Sequence, residues 1–239
     1  MIVEHKRPKV ELLHATPLKV AEIAARTCYN SFDLSEHPLI NTRDWYTQED
    51  IVHSKILDKL AWVHFHLSVL EHINLSFYAT GIPRNVIIEL NRHRILSTSQ
   101  KSSRYTIEKL VNLFLENDKD EFKKYVANNV SITEPNMLYE LTLYLWRSLE
   151  NLHSLEPLIS NLSGSKKKAQ NDRIKFILPE CWTLDGVWTI NLRSLKNLFQ
   201  LRLSNSAYYG IQELAEEMLK VIPYKYKELI IKDKNGKVI

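Results

Sequence analysis

Glycine is scarce in this 239-residue chain: only Gly81, Gly164, Gly186, Gly210 and Gly236 occur, each far from the next. That spacing excludes both the G-x-G-x-x-G dinucleotide loop and the Walker-type phosphate loop, whose backbone cradles need clustered glycines. If phosphates are held here, side chains must hold them. Cysteine is rarer still. Cys28 and Cys181 are too few for a disulfide framework and too far apart for a Cys-x-x-Cys motif, which fits a reducing compartment. No run approaches the roughly 20 apolar residues that span a bilayer. Residues 1–8, Met-Ile-Val-Glu-His-Lys-Arg-Pro, lack the apolar core of a signal peptide, so a cytoplasmic protein without a membrane partner is expected. The formal charge of +4 does not by itself call for nucleic acid, but it suits small anionic ligands. The composition can bury one sizeable core, and residues 1–239 are expected to form a single domain.

Helix and strand signals are mixed along the chain. Thr16-Pro17 reads as a cap and first turn for a helix to about Tyr29, and Thr47 as a second cap leading into Ile51, Ile56, Leu57, Leu60 and Trp62. Ile73 to Thr80 alternates with period two, a strand that Gly81-Ile82-Pro83 ends. Pro83 opens a helix to about His93, and further helices are expected near Ile107 to Val126 and Pro135 to Ser154. Ser163 to Lys168 reads as a loop, Asp172 to Leu178 as helix, and Trp182 to Ile190 as a strand or a hairpin around Asp185-Gly186. Asn191 caps a helix to Leu203, and Ala207 to Val221 forms another before a charged tail. This order predicts an α+β fold, not alternating βαβ units.

Arg92, Arg94 and Arg104 lie close in sequence, interleaved with Ser97, Ser99, Ser102 and Ser103. Cationic forks beside short hydroxyls are what a phosphate site without glycines requires. On spacing alone, a solvated basic loop or a patch touching a nucleic-acid backbone, with Tyr105 for stacking, explains the run equally well. Arg202 projects from the same helical arc as Leu192, Leu195, Leu198 and Phe199, and so needs a partner, either a structural acid or a ligand. Arg193, Asn197 and Gln200 fall on the opposite face. His64, His66, Glu71 and His72 yield no clean ligand geometry, and no metal is expected.

The window from Arg92 to Tyr105, Arg-His-Arg-Ile-Leu-Ser-Thr-Ser-Gln-Lys-Ser-Ser-Arg-Tyr, resembles the flavin-dependent thymidylate synthase signature R-H-R-x-x-S-x-N-E-x-S-x-R-Y. It departs at Ser99, where the family usually has Asn, and at Gln100, where it has Glu. Three other stretches are similar to family segments: Ala24 to Tyr29, His66-Leu67-Ser68-Val69-Leu70-Glu71-His72, and the helix from Trp188 through Arg193-Ser194-Leu195 and Asn197 to Arg202. The matches run from about Leu12 to Tyr226.

The resemblance implies a central, mainly antiparallel sheet flanked by helices, in a homotetramer whose sites form between subunits. It implies bound FAD, with NADPH and 5,10-methylenetetrahydrofolate as co-substrates, and conversion of dUMP to dTMP. Flavin would be held by His66, Ser68, Arg92, His93, Arg94, Gln100, Asn191, Arg193 and Asn197, with Glu71 in support. The nucleotide would meet Glu89, Arg92, Gln100, Lys101, Ser102, Ser103, Arg104, Lys175 and Arg202, the last polarising the uracil as the catalytic residue. Glu89 stands where many members have Gln, and Lys175 where many have Arg, losing the bidentate fork. Pro179-Glu180-Cys181 superficially resembles the site of the cysteine-dependent synthase. Trp182 follows it, however, with no adjacent His to activate a thiol, so Cys181 is read as packing.

Overall fold

A computed structural model describes residues 5–134, 136–232 and 236–238. In chain order the elements are β1 (Lys9–Ala15), α1 (Leu18–Thr27), α2 (Pro38–Asn41), α3 (Lys55–Trp62), β2 (Asn74–Pro83), α4 (Arg84–Leu90), β3 (Leu96–Gln100), α5 (Ser103–Leu115), α6 (Lys119–Asn129), α7 (Met137–Leu155), α8 (Gly164–Ile174), β4 (Thr183–Asn191), α9 (Leu192–Arg202), α10 (Tyr209–Val221) and α11 (Tyr224–Ile230). The strands form one antiparallel sheet in the order β1-β2-β4-β3, flanked by helices, as the α+β expectation required. Among the described residues no helix is long and apolar enough to cross a membrane.

The chain divides into two compact units. One comprises residues up to Lys9 with 79–89 and 99–186, and the other comprises 10–78, 90–98 and the residues from Val187 onward. In the second unit, α1 is not capped by Thr16, whose hydroxyl instead exchanges hydrogen bonds with the backbone of Asn74. The Asp50 carboxylate takes that role from a distance, accepting from the amides of Leu18 and Lys19 at 2.9 Å. Lys19 Nζ in turn donates to the carbonyls of Thr47 and Glu49 at 2.5 and 2.7 Å. Residues 47–50 are therefore a strap at the head of α1, not the start of a helix, and α3 begins at Lys55 with Ser54 as its cap. On α1 itself, the buried Glu22 accepts from Arg26 at 3.3 Å, Ser35 at 2.7 Å and Ser54 at 2.5 Å.

In the other unit the helix expected from Ile107 to Val126 is two helices. Asn117 adopts a left-handed φ of 55°, and Asp118 caps α6 by accepting from the Glu121 amide at 3.0 Å. Phe114 and Phe122 both meet Trp146 edge-on, at 5.1 and 5.0 Å, fixing α5 and α6 against α7. Residues 163–168 are not a loop. Gly164 enters α8 with φ 57°, and the lysine run that follows is tolerated near a helix N-terminus partly because Lys167 pairs with Glu108 at 2.7 Å. The helix expected at 172–178 is the end of α8 plus a 3-10 turn, Lys175–Ile177. Asp185-Gly186 does not turn either. Asp185 spends its side chain on the Gly81 amide, and Leu184, Gly186, Trp188 and Ile190 alternate as the buried face of one continuous strand.

Candidate functional site

Helix α9 starts where Asn191 Oδ1 accepts from the Ser194 amide at 2.8 Å, so Asn191 is committed to the cap and buried. From that start Arg193, Asn197 and Gln200 recur on one exposed face and line a cleft of about 820 Å³. Its opposite wall is the turn after α4, which stops at Leu90 and not His93: the His93 amide bonds back to Leu90, and Arg92, His93 and Arg94 follow around the cleft. Trp62, Phe65 and Leu67 add an apolar wall, and Ile95 and Leu201 an exposed apolar lip.

Arg202, the last residue of α9, also reaches this cleft, although the helical wheel puts it opposite Arg193. At the helix end a long side chain is no longer confined to one face. Its Nε donates to Nε2 of the buried His93 at 3.1 Å. Arg193 donates to Glu71 Oε1 at 2.5 Å. Beneath them the buried Lys196 donates to the carbonyls of Ala61 (2.9 Å) and Leu229 (3.4 Å), with its ammonium 3.4 Å from the centre of the Trp62 ring. Burial, with Lys232 nearby, pulls its pKa down to about 8. His66 and Ser68 are exposed and flank Leu67 in the chain, but they are not among the lining residues.

A cleft of this volume falls within the range of roughly 300–1,000 Å³ usual for large cofactors. Its donor set, arginines at 92, 94 and 193 beside an aromatic and aliphatic wall, suits a ligand with both phosphates and a flat ring system such as FAD.

The remaining predicted positions lie in the other unit. Ser102 and Arg104 open a cleft of about 390 Å³ with Lys167, Lys168 and Asn171. Arg104 grips Asp172 bidentately at 2.6 and 2.7 Å, and Lys175 reaches the same carboxylate at 2.9 Å. The Arg104 and Lys175 cations hold the Asp172 carboxyl down at about 2. Ser103 opens α5, with its carbonyl accepting from Thr106, and Gln100 closes β3; both are half-buried and outside that cleft. Glu89 is half-buried on α4. Lys101 points elsewhere, lining a third cleft with Lys9 and Asp185. Sequence reasoning missed Lys167 and Lys168, because the lysine run read as a loop, and Asp172, whose partner Arg104 is distant in sequence. It also missed Trp62, which read as a core position of its helix, and Phe65 and Lys196, which no motif names.

Cys181 is half-buried, its carbonyl accepts from the Ser131 amide, and burial pushes its thiol pKa up, the reverse of an activated nucleophile.

Comparison with known proteins agrees with the sequence motifs. Residues 11–224 match the family model described as thymidylate synthase complementing protein. The flavin-dependent thymidylate synthase of Wolinella succinogenes is 33% identical over 229 residues, covering 95% of this chain and 99% of that protein. Its counterpart from Helicobacter pylori strain J99 is 33% identical over 223 residues, covering 90% and 94%. The crystal structure of Thymidylate Synthase X from Helicobacter pylori with FAD and dUMP superposes with a TM-score of 0.71 at 28% identity, covering 96% of this chain and 98% of that one. With the family model matched over most of its length, this chain belongs to the flavin-dependent thymidylate synthases.

Proposed function

We propose that the protein converts dUMP to dTMP, taking the one-carbon unit from 5,10-methylenetetrahydrofolate, with bound FAD reduced by NADPH and no enzyme cysteine as nucleophile. The observation that carries this reading is the 820 Å³ cleft, which gathers Arg92, His93, Arg94, Arg193, Asn197 and Arg202 around one space. FAD bound there supplies the hydride when reduced. The forks of Arg92, Arg94 and Arg193 would hold its phosphates, and Trp62 and Phe65 would pack against its ring. Gln100, His66, Ser68 and Asn191 are assigned to flavin on the resemblance alone.

Arg202 presents a fixed cation to the uracil, stabilising the pyrimidine as an anion and making its carbon 5 nucleophilic. His93 orients that cation by accepting from its Nε. The dUMP phosphate falls to Arg104 and Ser102, whose cleft also carries Lys167 and Lys168. Lys175 supports it through Asp172. Arg92, Glu89, Gln100 and Ser103 keep their nucleotide roles as assignments from the motif; the motif assigns Lys101 to the nucleotide too, but its side chain lines a different cleft from Ser102 and Arg104. We take the sites to be completed between subunits of a homotetramer. Residues 1–239 are read as one functional domain, since the family match runs through both compact units, and the reaction is placed in the cytoplasm.

The test is direct. Protein as purified, or after incubation with FAD, should be yellow with the visible bands of a flavoprotein. Colourless protein that cannot be reconstituted contradicts the proposal.

A further inference from the structure

We propose that a separate cationic cleft, formed by Lys6, Arg7, Lys9 and Lys101, binds the multiply charged anionic end of a co-substrate: the glutamyl carboxylates of the folate or the ribose phosphate of NADPH. The inference rests on the function proposed above for the identity of the co-substrates, but the cleft itself rests on geometry.

The cleft has a volume of about 560 Å³, and four cations meet there with one acid, Asp185. The uncharged polar residues Asn128, Asn129, Thr80 and Thr183 complete most of its lining. Lys6 and Lys9 add positive charge beside the Lys101–Asp185 pair, a local excess that favours an anion carrying more than one charge. Asp185 is already engaged. Its Oδ1 accepts from the Gly81 amide at 3.1 Å, its carbonyl accepts from the Lys101 amide at 2.8 Å, and its Oδ2 lies 3.6 Å from Lys101 Nζ. It therefore acts as the anchor that turns Lys101 into this cleft and away from the one lined by Ser102 and Arg104.

Lys6 is held by neutral acceptors, the Ala127 carbonyl at 3.5 Å and Asn128 Oδ1 at 3.4 Å, so its position is set without its charge being cancelled. The Ser131 hydroxyl fixes the segment by donating to the Lys6 carbonyl at 3.3 Å. Gly81, in the left-handed region with φ 72°, leaves open space where a Cβ would stand, so the cleft floor is bare backbone there.

The charge pattern selects the class of ligand. Exposed single ion pairs are weak, so one carboxylate would not be retained, whereas a chain of carboxylates or a dianionic phosphate engages several cations at once. The nucleotide's own phosphate is assigned to Arg104, in a different cleft.

The experiment is titration calorimetry on the full chain as purified, supplemented with FAD. The ligands are folate monoglutamate and pentaglutamate, then NADPH and NADH, each at low and moderate salt. Wild type should prefer the pentaglutamate over the monoglutamate, or NADPH over NADH, by about tenfold, and salt should reduce that preference. In Lys6→Ala/Lys9→Ala the preference should fall to about twofold, while Lys6→Arg/Lys9→Arg keeps it. Whichever preference collapses names the source of the anion. An unchanged preference for both pairs, or no preference in wild type, overturns the proposal. Conversion of dUMP is read separately: a wild type that turns over no dUMP yet keeps the charge-dependent preference counts against the proposed reaction and supports this cleft.

Discussion

Arg202 Nε donates to His93 Nε2 at 3.1 Å, joining the end of α9 to the turn after α4 inside the 820 Å³ cleft. An imidazole that accepts at Nε2 carries its proton on Nδ1, so this bond fixes the tautomer of His93 and the direction of the guanidinium. Arg202→Lys retains a cation but loses the planar fork and this bond. We expect kcat to fall roughly 100- to 1,000-fold, as for loss of a preorganised donor to a developing anion, with flavin absorption unchanged. His93→Ala should cost less, and the double variant should be non-additive by about 1 kcal/mol or more. Additive effects in that cycle would separate the two residues.

Asp172 sets an acid limb to stability. Its folded pKa of about 2 lies below its ordinary value because Arg104, then Lys175, bind the carboxylate. The unfolded group titrates near 4, so the folded state gains stability above that pH and loses it as pH falls through about 2. Asp172→Asn should therefore flatten the change in urea midpoint between pH 5 and pH 2.5. A variant as acid-sensitive as wild type would show that the contact contributes nothing in solution.

Glu22 is the buried acid between Arg26, Ser35 and Ser54. Glu22→Gln leaves the buried Arg26 cation without its carboxylate, and the expected loss is about 3–5 kcal/mol, read as a lower urea midpoint. A change under about 1 kcal/mol would mean that Arg26 finds another partner.

No thiol is required. Cys28 is exposed and Cys181 is half-buried with a raised pKa. Cys28→Ser/Cys181→Ser should keep turnover within about threefold of wild type and resist alkylating reagents, since burial disfavours the Cys181 thiolate. Loss of all activity in a folded double variant would restore a cysteine mechanism.

The sequence exposed most of this site and less of the fold. Motifs carried Arg92, His93, Arg94, Arg193, Asn197 and Arg202, and the structure brings all of them to one cleft. The Asn191 cap was legible because capping is local chemistry. Strand β3 was not, since Leu-Ser-Thr-Ser-Gln buries little and has no apolar alternation to detect. Strand β1 hid for a similar reason: its side chains are exposed or half-buried along its length. The cap on α1 is supplied by Asp50, some thirty residues downstream, a contact that no local pattern encodes. The Lys101 side chain parts from Ser102 and Arg104 because Asp185 holds it, again a contact distant in sequence.

The central claim is chemical, and release of tritium from dUMP labelled at carbon 5 tests it most directly. With FAD, methylenetetrahydrofolate and NADPH present, tritium should appear in water in step with dTMP, and omission of NADPH or depletion of FAD should stop it. Protein that binds FAD and dUMP yet releases no tritium and forms no dTMP under these conditions would contradict the account.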